Sequence, residues 1–527
     1  MPTRSDAPPA ADQNRRLAAL WLMAGSVLVW VPGGSSRFVW AKLLLVALAV
    51  FVGTTVPRDG RLPRALVTGL GAGTVLLVAA ALAGETPLPS LVGRFPRYEG
   101  LPVLGLYVAA AWLGARIGGR GRARAVQLAH AMAGVGVALG VLAVLDLADS
   151  SPLGSSTLQR SGSVLGNATD QGLVAAMAVL VVAGALEVRR DGLLLAGLAG
   201  AVVTVAVSGS RVALVLAVVG LLVQAARRPG LRTPILVAVL GLVAVALSVT
   251  GTRHRLLSWR TGHGRLEQWQ LTLDLVRDHP WLGVGPSRYV DAVGPYETRG
   301  FVAFTGPRTL ADSPHDVLLQ AAVVGGLPLL LCFVVLVVLV ARRAQAVVAE
   351  HPESWGVVTA VSAYGLGVLA NPTAPGPTAL AAFLLGVLVA EPATAPERAW
   401  PRRAAGAVLA LAAVAVTTCC VAEVQLGHGV EDAGSGRADE ARASFDAAER
   451  WRPWDSDVSL LAAEASLPND KEDARDRARA ALDATPDSFE ALVTLGLAEL
   501  GLGDAIDAER HLDRAAELFP ERPVPRP

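Results

Sequence analysis

Lysine is nearly absent from this chain of 527 residues: Lys42 and Lys471 are the only two, and every other basic residue is arginine. Cysteine is almost as rare. Cys332, Cys419 and Cys420 all lie inside apolar runs, so neither a disulfide framework nor a cysteine-based metal site is expected. Charged residues make up 17% of the chain, against roughly a quarter in soluble domains, and they collect between apolar stretches. The formal net charge of +1 by itself says nothing about a nucleic-acid partner; the distribution of charge is what matters, and no nucleic acid is expected. The opening MPTRSDAPPAADQNRR lacks a cleavable-signal pattern, so the first apolar run is expected to be retained.

What fills the chain instead is oil. Hydrophobic residues make up 53%, gathered into more than ten runs near the roughly 20 residues that cross a bilayer. An apolar run of that length must satisfy its own backbone, which makes it a helix. The fold class is therefore all-α: a polytopic membrane protein of about 12–13 transmembrane helices. Runs are predicted near 17–32, 39–56, 65–84, 101–117, 125–146, 171–187, 192–208, 211–226, 234–250, 316–341, 354–370, 376–391 and 404–424. Three regions follow: a tail at 1–16, a membrane domain at 17–426 with a large polar loop at 251–315, and a C-terminal region at 427–527.

Arginine is distributed unevenly over the loops. One alternating set carries twenty, among them Arg58, Arg61, Arg64, Arg116, Arg120 and Arg124, while the opposite short loops carry only Arg37, Arg94, Arg97, Arg160 and Arg211. Basic loops stay in the cytoplasm, so the N-terminus is expected inside. The long loop and the region after Val424 are expected on the extracytoplasmic side of the cell membrane. That last region repeats every 34 residues: Pro486 with Pro520, Ala474 with Ala508, Ala481 with Ala515, Ala462 with Gly496. It resembles tetratricopeptide repeats, which suggests a protein partner, and its own packing makes it look separable from the membrane domain.

The long loop is rich in arginine and holds His254, His263, His279 and His315. No two of these histidines stand four apart on a helix, so no metal and no cofactor are expected. Clustered guanidiniums suit a multiply charged oxyanion, because each offers a planar fork of donors and stays charged. Residues 265–276 read as an amphipathic helix with Leu266, Trp269, Leu273 and Val276 on one stripe. Arg211 follows SGS at the outer end of a span, where arginine is otherwise scarce. An imidazole at His315, where ADSP meets the next span, is placed to take a proton near neutral pH.

These residues match a family. R-x-x-x-W at Arg265 and Trp269, then DHPWLGVGP, then SPHDVLLQ and GGLPLLL, resemble the O-antigen ligase and polymerase superfamily. SGSR before the loop, RSGSVLGNATDQGL at 160–173 and LVGRFPRYEGL at 91–101 fit the same pattern. Asp316 stands where the family usually has asparagine, and AAVVGGLP lacks the usual acidic residue. The resemblance implies an architecture like that of C-type glycosyltransferases. It also implies metal-independent transfer of a glycan from undecaprenyl diphosphate to an acceptor hydroxyl on a lipid, a glycan or a protein. Carried over by position, Arg211, Arg265 and His315 are catalytic, while Arg97, Arg160, Trp269 and Arg288 contact substrate. Alternatives of the same chemistry are a glycan polymerase and a protein O-oligosaccharyltransferase. A transporter of lipid-linked glycans is the non-enzymatic one, and it would be expected to show inverted repeats and charges within several spans.

The topology is directly testable. Cysteines placed at Ser287 and Ser488 should react with an impermeant thiol reagent in intact cells, and one at Gly119 only after permeabilisation. Labelling of Gly119 without permeabilisation would invert the assignment.

Overall fold

The computed structural model describes residues 10–148, 164–249, 252–253, 260–307, 309–393 and 399–525. Each of the thirteen apolar segments is helical. Six helices have the length and composition to cross a membrane: Arg64–Ala83, Arg122–Leu147, Ala168–Ala185, Pro229–Ser248, Val317–Glu350 and Arg402–Gly434. Shorter apolar helices stand among them, including Trp40–Thr55, Leu101–Ile117, Gly192–Val207 and Pro375–Val389. The chain is an all-α polytopic membrane protein.

Burial sorts these helices into a centre and a rim. Apart from Thr169, every residue of Ala168–Ala185 is buried, and four helices surround it: Arg122–Leu147, Gly192–Val207, Arg211–Arg227 and Trp355–Gly367. Lipid tails are as apolar as leucine, so association here depends on close packing, which small residues permit. The neighbours Arg122–Leu147 and Gly192–Val207 show how: a Cβ on Gly140 would lie 2.4 Å from the Cα of Gly200. At the rim, Arg64–Ala83 and Arg232–Ser248 turn side chains such as Val75 and Leu240 outward, as a lipid-facing helix does.

The two ends of the bundle differ in chemistry. At one end the arginine-rich loops lock together. Arg16 and Arg124 both meet Asp59, and Arg116 donates to the carbonyls of Gly53 and Val56. Gly60–Arg61 pairs antiparallel with Glu391–Pro392. At the other end lie the long loop and the C-terminal helices. The loop is itself folded, into Arg260–Asp278, Tyr289–Ala292 and Arg299–Thr305.

On Arg260–Asp278 the buried face is Gln268, Leu271, Thr272, Leu275 and Val276, while Leu266 and Leu273 of the apolar stripe are exposed. Gln268 and Thr272 can be buried because each finds hydrogen-bond partners there.

The C-terminal region forms helix hairpins, Ser456–Ser466 with Lys471–Ala484 and Phe489–Leu502 with Ala505–Leu518. Ala474, Ala481, Ala508 and Ala515 are buried at their contacts. No loop marks the boundary drawn at residue 427, because the helix Ala399–Gly434 runs straight through it. Ser488, a candidate labelling site, is a buried N-cap; exposed Ile506 is the better probe of this region.

Nor does this region pack as a separable unit. Arg452, fully buried, reaches Glu423 at 2.9 Å and stacks over Trp40 and Tyr98. Buried Arg94 joins Asp457, 2.9 Å away, to Asp291 of the long loop. Arg522 and Glu297 form an ion pair with neither side chain exposed. Removing one partner of a buried ion pair costs about 3–5 kcal/mol. Truncation after Gly429 leaves Glu423, Arg94 and Glu297 short of theirs, so it should lower the thermal unfolding temperature of the purified membrane domain markedly. A truncated protein that melts like the full chain would show these pairs to be incidental.

Candidate functional site

His315 sits in a turn held from three directions. Asp316 ends the turn by capping the helix Val317–Glu350, its carboxylate accepting from Leu318 N at 2.8 Å and Leu319 N at 2.9 Å. Aspartate and asparagine cap equally well, so the departure at this position keeps the helix start intact. From the second side, Arg260–Asp278 grips the turn: Gln268 donates to Ser313 O at 2.5 Å, and the Trp269 indole N–H donates to Pro314 O at 3.1 Å. From the third, Val317 N donates to Val368 O at 3.0 Å.

Held this way, His315 adopts φ 55°, a left-handed conformation that a side chain with a Cβ adopts only under constraint. Its backbone N–H donates to Ser313 Oγ at 3.2 Å, and its Nδ1 lies 3.0 Å from Ser313 O. With its hydrogen on Nδ1 the ring donates to that carbonyl and the Nε2 lone pair is available; Gln268 Nε2 also lies 3.4 Å from Nδ1. Burial pushes the imidazole pKa below its ordinary value. Asp312 opposes that shift, and the charges of Arg97 and Arg265 reinforce it. At neutral pH this histidine is a neutral base.

Arg265 lies one helical turn before Trp269. Its Nη2 donates to Asn371 Oδ1 at 3.2 Å, and Asn371 is anchored in turn by its Nδ2 on Gly367 O at 2.8 Å. Burial, and then the charge of Arg211, lower the pKa of Arg265. Arg211 opens the helix Arg211–Arg227 behind the Ser210 cap. Among the described residues no carboxylate is bonded to Arg265. Arg97 is the contrast: its guanidinium grips both Asp312 oxygens, at 2.9 and 3.1 Å, and donates to Thr373 O at 2.9 Å. Burial works against that charge, but Asp312 overrides it and the pKa rises.

Arg97 and His315 therefore line one crevice, with Arg265 joined to it through Asn371, Trp269 through the histidine turn, and Arg211 within electrostatic reach of Arg265, but not every expected residue comes with them. Arg288 is drawn instead to Glu85, 3.4 Å away. Arg160 and His254 lie outside the described residues. Trp269 reaches the site through its indole hydrogen bond to the histidine turn. Asp312, Gln268 and Asn371 are the additions. Asp312 was visible in ADSPH, three residues before the histidine; Asn371 lies in a proline-rich loop with no signal of its own.

Three cavities meet at Arg97 and Thr373. A small crevice holds His315, Ser313 and Asn371. A space of about 530 Å³, walled by Leu70, Leu77, Leu104, Val324 and Phe333, runs from Arg97 between three apolar helices. A third, of about 330 Å³, lies beyond Phe95 and Pro96.

A break in the helix Val317–Glu350 ties the loop to this site. Gly325 and Gly326 leave helical geometry, which frees backbone groups that DHPWLGVGP then satisfies. Val284 N donates to Val323 O at 2.7 Å, and Leu327 N donates to Pro280 O at 2.8 Å. The two sequence elements are partners in one hydrogen-bonded clasp.

Residues 196–334 match the family model described as O-Antigen ligase. The matched segment holds Arg211, Arg265, His315, Asp312 and both halves of the clasp, while Arg97 and Asn371 lie outside it. The match supports the O-antigen ligase superfamily and a ligase- or polymerase-type role in glycan processing. Neither a search of curated proteins nor one of solved structures found a match.

Gly326 has φ 71° and ψ −174°, a region open essentially to glycine, and a Cβ there would lie 2.3 Å from Trp281 O. Gly326→Ala should cost at least about 1–3 kcal/mol in strain alone and unseat the loop, with transfer activity falling alongside the melting temperature. Gly241→Ala, which meets nothing within 4 Å, should change neither. Equal behaviour of the two variants would refute the clasp.

Proposed function

We propose that this protein transfers a glycan from a polyprenyl diphosphate carrier to an acceptor hydroxyl, in the manner of an O-antigen ligase, at the extracytoplasmic face of the membrane. The observation that carries the reading is Arg265: a half-buried guanidinium beside a second one, with no bonded carboxylate among the described residues, facing a neutral histidine. Such an arrangement wants an anion.

In this reading Arg211 and Arg265 donate to the diphosphate of the carrier. As the bond from the sugar's anomeric carbon to the phosphate oxygen breaks, the electron pair stays with the diphosphate, and the two guanidiniums stabilise the added charge. His315 Nε2 takes the acceptor proton while the acceptor oxygen bonds to the anomeric carbon. Trp269, Gln268 and Asp316 act through the turn, holding the imidazole where its Nδ1–H stays on Ser313 O. The apolar cavity that begins at Arg97 and continues between helices suits the lipid portion of a substrate. The positive charge comes from the chain itself, so the reaction is expected to proceed without a metal ion.

Glycan transfer from purified undecaprenyl-diphosphate donor tests this. Arg265→Lys keeps the charge but loses the planar fork. One charge-assisted hydrogen bond is worth about 1.5–3 kcal/mol, so turnover should fall about ten- to a hundredfold, and Arg211→Ala should do at least as much. His315→Ala should cost about 10²–10⁴-fold with donor binding nearly unchanged. Because the pKa of His315 is lowered, the base form persists as pH falls, and the acid limb of the rate profile should lie below the ordinary 6.5. Full activity of His315→Ala, or loss of wild-type activity on adding chelator, would overturn the mechanism.

A further inference from the structure

The 330 Å³ cavity is walled by Ser35, Phe38, Phe95, Asn167, Asp170 and Pro375, among others. It shares Arg97, Pro372 and Thr373 with the crevice at His315. Its volume lies at the lower end of ligand pockets, which run from about 300 Å³ upward. What sets it apart is the state of its polar groups.

Two of the strongest donors in its wall are already used. The ammonium of Lys42 donates to three backbone carbonyls, Val29 and Val164 at 2.6 Å and Val27 at 3.3 Å. A fourth partner would exceed its three hydrogens. Arg97 is taken up by Asp312 and Thr373. The acceptor is in the opposite state. Asp170 is 6% exposed, lines the cavity, and has no hydrogen bond from its carboxylate to any described residue. A buried carboxylate without donors is expensive, and the donors have to come from whatever enters.

Charge and shape narrow that ligand. Asp170 lies within electrostatic reach of both Lys42 and Arg97, and Arg37 also lines the cavity, so a cation finds no excess of negative charge there, while a second carboxylate set beside Asp170 would be repelled. Phe38, Phe95, Pro96 and Pro375 present flat apolar faces opposite the polar ones. A neutral ring with several hydroxyls on its edge and C–H groups on its face meets both demands.

We infer that this cavity is a subsite for a neutral sugar ring, with Asp170 accepting from its hydroxyls. Naming that ring as part of the acceptor rests on the glycan-transfer reading. In that case the shared wall at Arg97, Pro372 and Thr373 brings another of its hydroxyls toward Nε2 of His315. Asp170 is then a specificity-determining residue: it selects a sugar without touching the bond that forms.

The test is saturation-transfer NMR on the full chain in nanodiscs, with methyl glycosides of glucose, galactose and N-acetylglucosamine as probes and glucuronate as the anionic comparison. At least one neutral glycoside should bind, and glucuronate should not. Asp170→Asn, checked for an unchanged melting temperature, should weaken binding about tenfold or more. Phe38→Ala, which removes an apolar wall and no charge, should weaken it too, whereas Gly241→Ala, where an added Cβ meets nothing within 4 Å, should bind as the wild type does. Binding untouched by both Asp170→Asn and Phe38→Ala, or no neutral glycoside bound at all, overturns the subsite. Undecaprenyl diphosphate binding, measured in parallel, separates the two claims. Carrier bound through Arg265 with no sugar bound sinks the subsite and leaves the transfer reading standing. Sugar bound through Asp170 with no carrier bound does the reverse.

Discussion

A helix broken inside a membrane protein leaves backbone groups that lipid cannot satisfy, and this chain answers with a segment from outside the helix. The break at Gly325–Gly326 is closed by Val284 and Pro280 of the long loop. Because Pro280 follows closely on Arg260–Asp278, the clasp also fixes that helix against the N-terminal part of Val317–Glu350. From there Gln268 and Trp269 hold the histidine turn, and Arg265 is carried to Asn371. The placement of Arg265 and of the His315 turn therefore depends on two backbone hydrogen bonds. A residue with a side chain at Gly326 has no room, since the clasp brings Trp281 O too close.

Much of this was legible beforehand. Apolar run length marked all thirteen helical segments, because a spanning helix has no other way to satisfy its backbone. The motifs at Arg211, Arg265 and His315 pointed to one site, and those three do converge. Pairing was what remained hidden. Arg97 and Arg265 look alike as letters, yet Arg97 is held by Asp312 while Arg265 is not, and the partner lies more than two hundred residues away. The buried face of Arg260–Asp278 was hidden in the letters for a related reason. Gln268 and Thr272 are buried by hydrogen bonds to the histidine turn and to Tyr289, and hydrophobic periodicity does not register such bonds. Helix ends past the apolar core were equally silent: good helix formers carry Val317–Glu350 and Ala399–Gly434 beyond their hydrophobic limits.

The buried arginines divide into two kinds with different physical consequences. Arg94, Arg452 and Arg522 are neutralised by carboxylates and join parts of the chain that are distant in sequence. Such pairs contribute little net stability when intact, yet they are costly to break singly, which makes them determinants of how the parts fit together more than sources of cohesion. Arg265 is arranged the other way: its side-chain hydrogen bond goes to the neutral amide of Asn371 and to no carboxylate among the described residues.

The 36-residue helix Ala399–Gly434 rises through the apolar layer and continues unbroken into the C-terminal hairpins. At about 1.5 Å per residue it spans about 54 Å. With Arg452 bolted to its upper part and Arg522 to the long loop, the hairpins have no hinge on which to swing. They are held against the long loop as a fixed strut instead of trailing from it as a flexible tether. A molecule seated on their outer surface would be presented at one distance and one angle from the crevice, so its reach would be measured by the architecture and not by diffusion at the end of a linker.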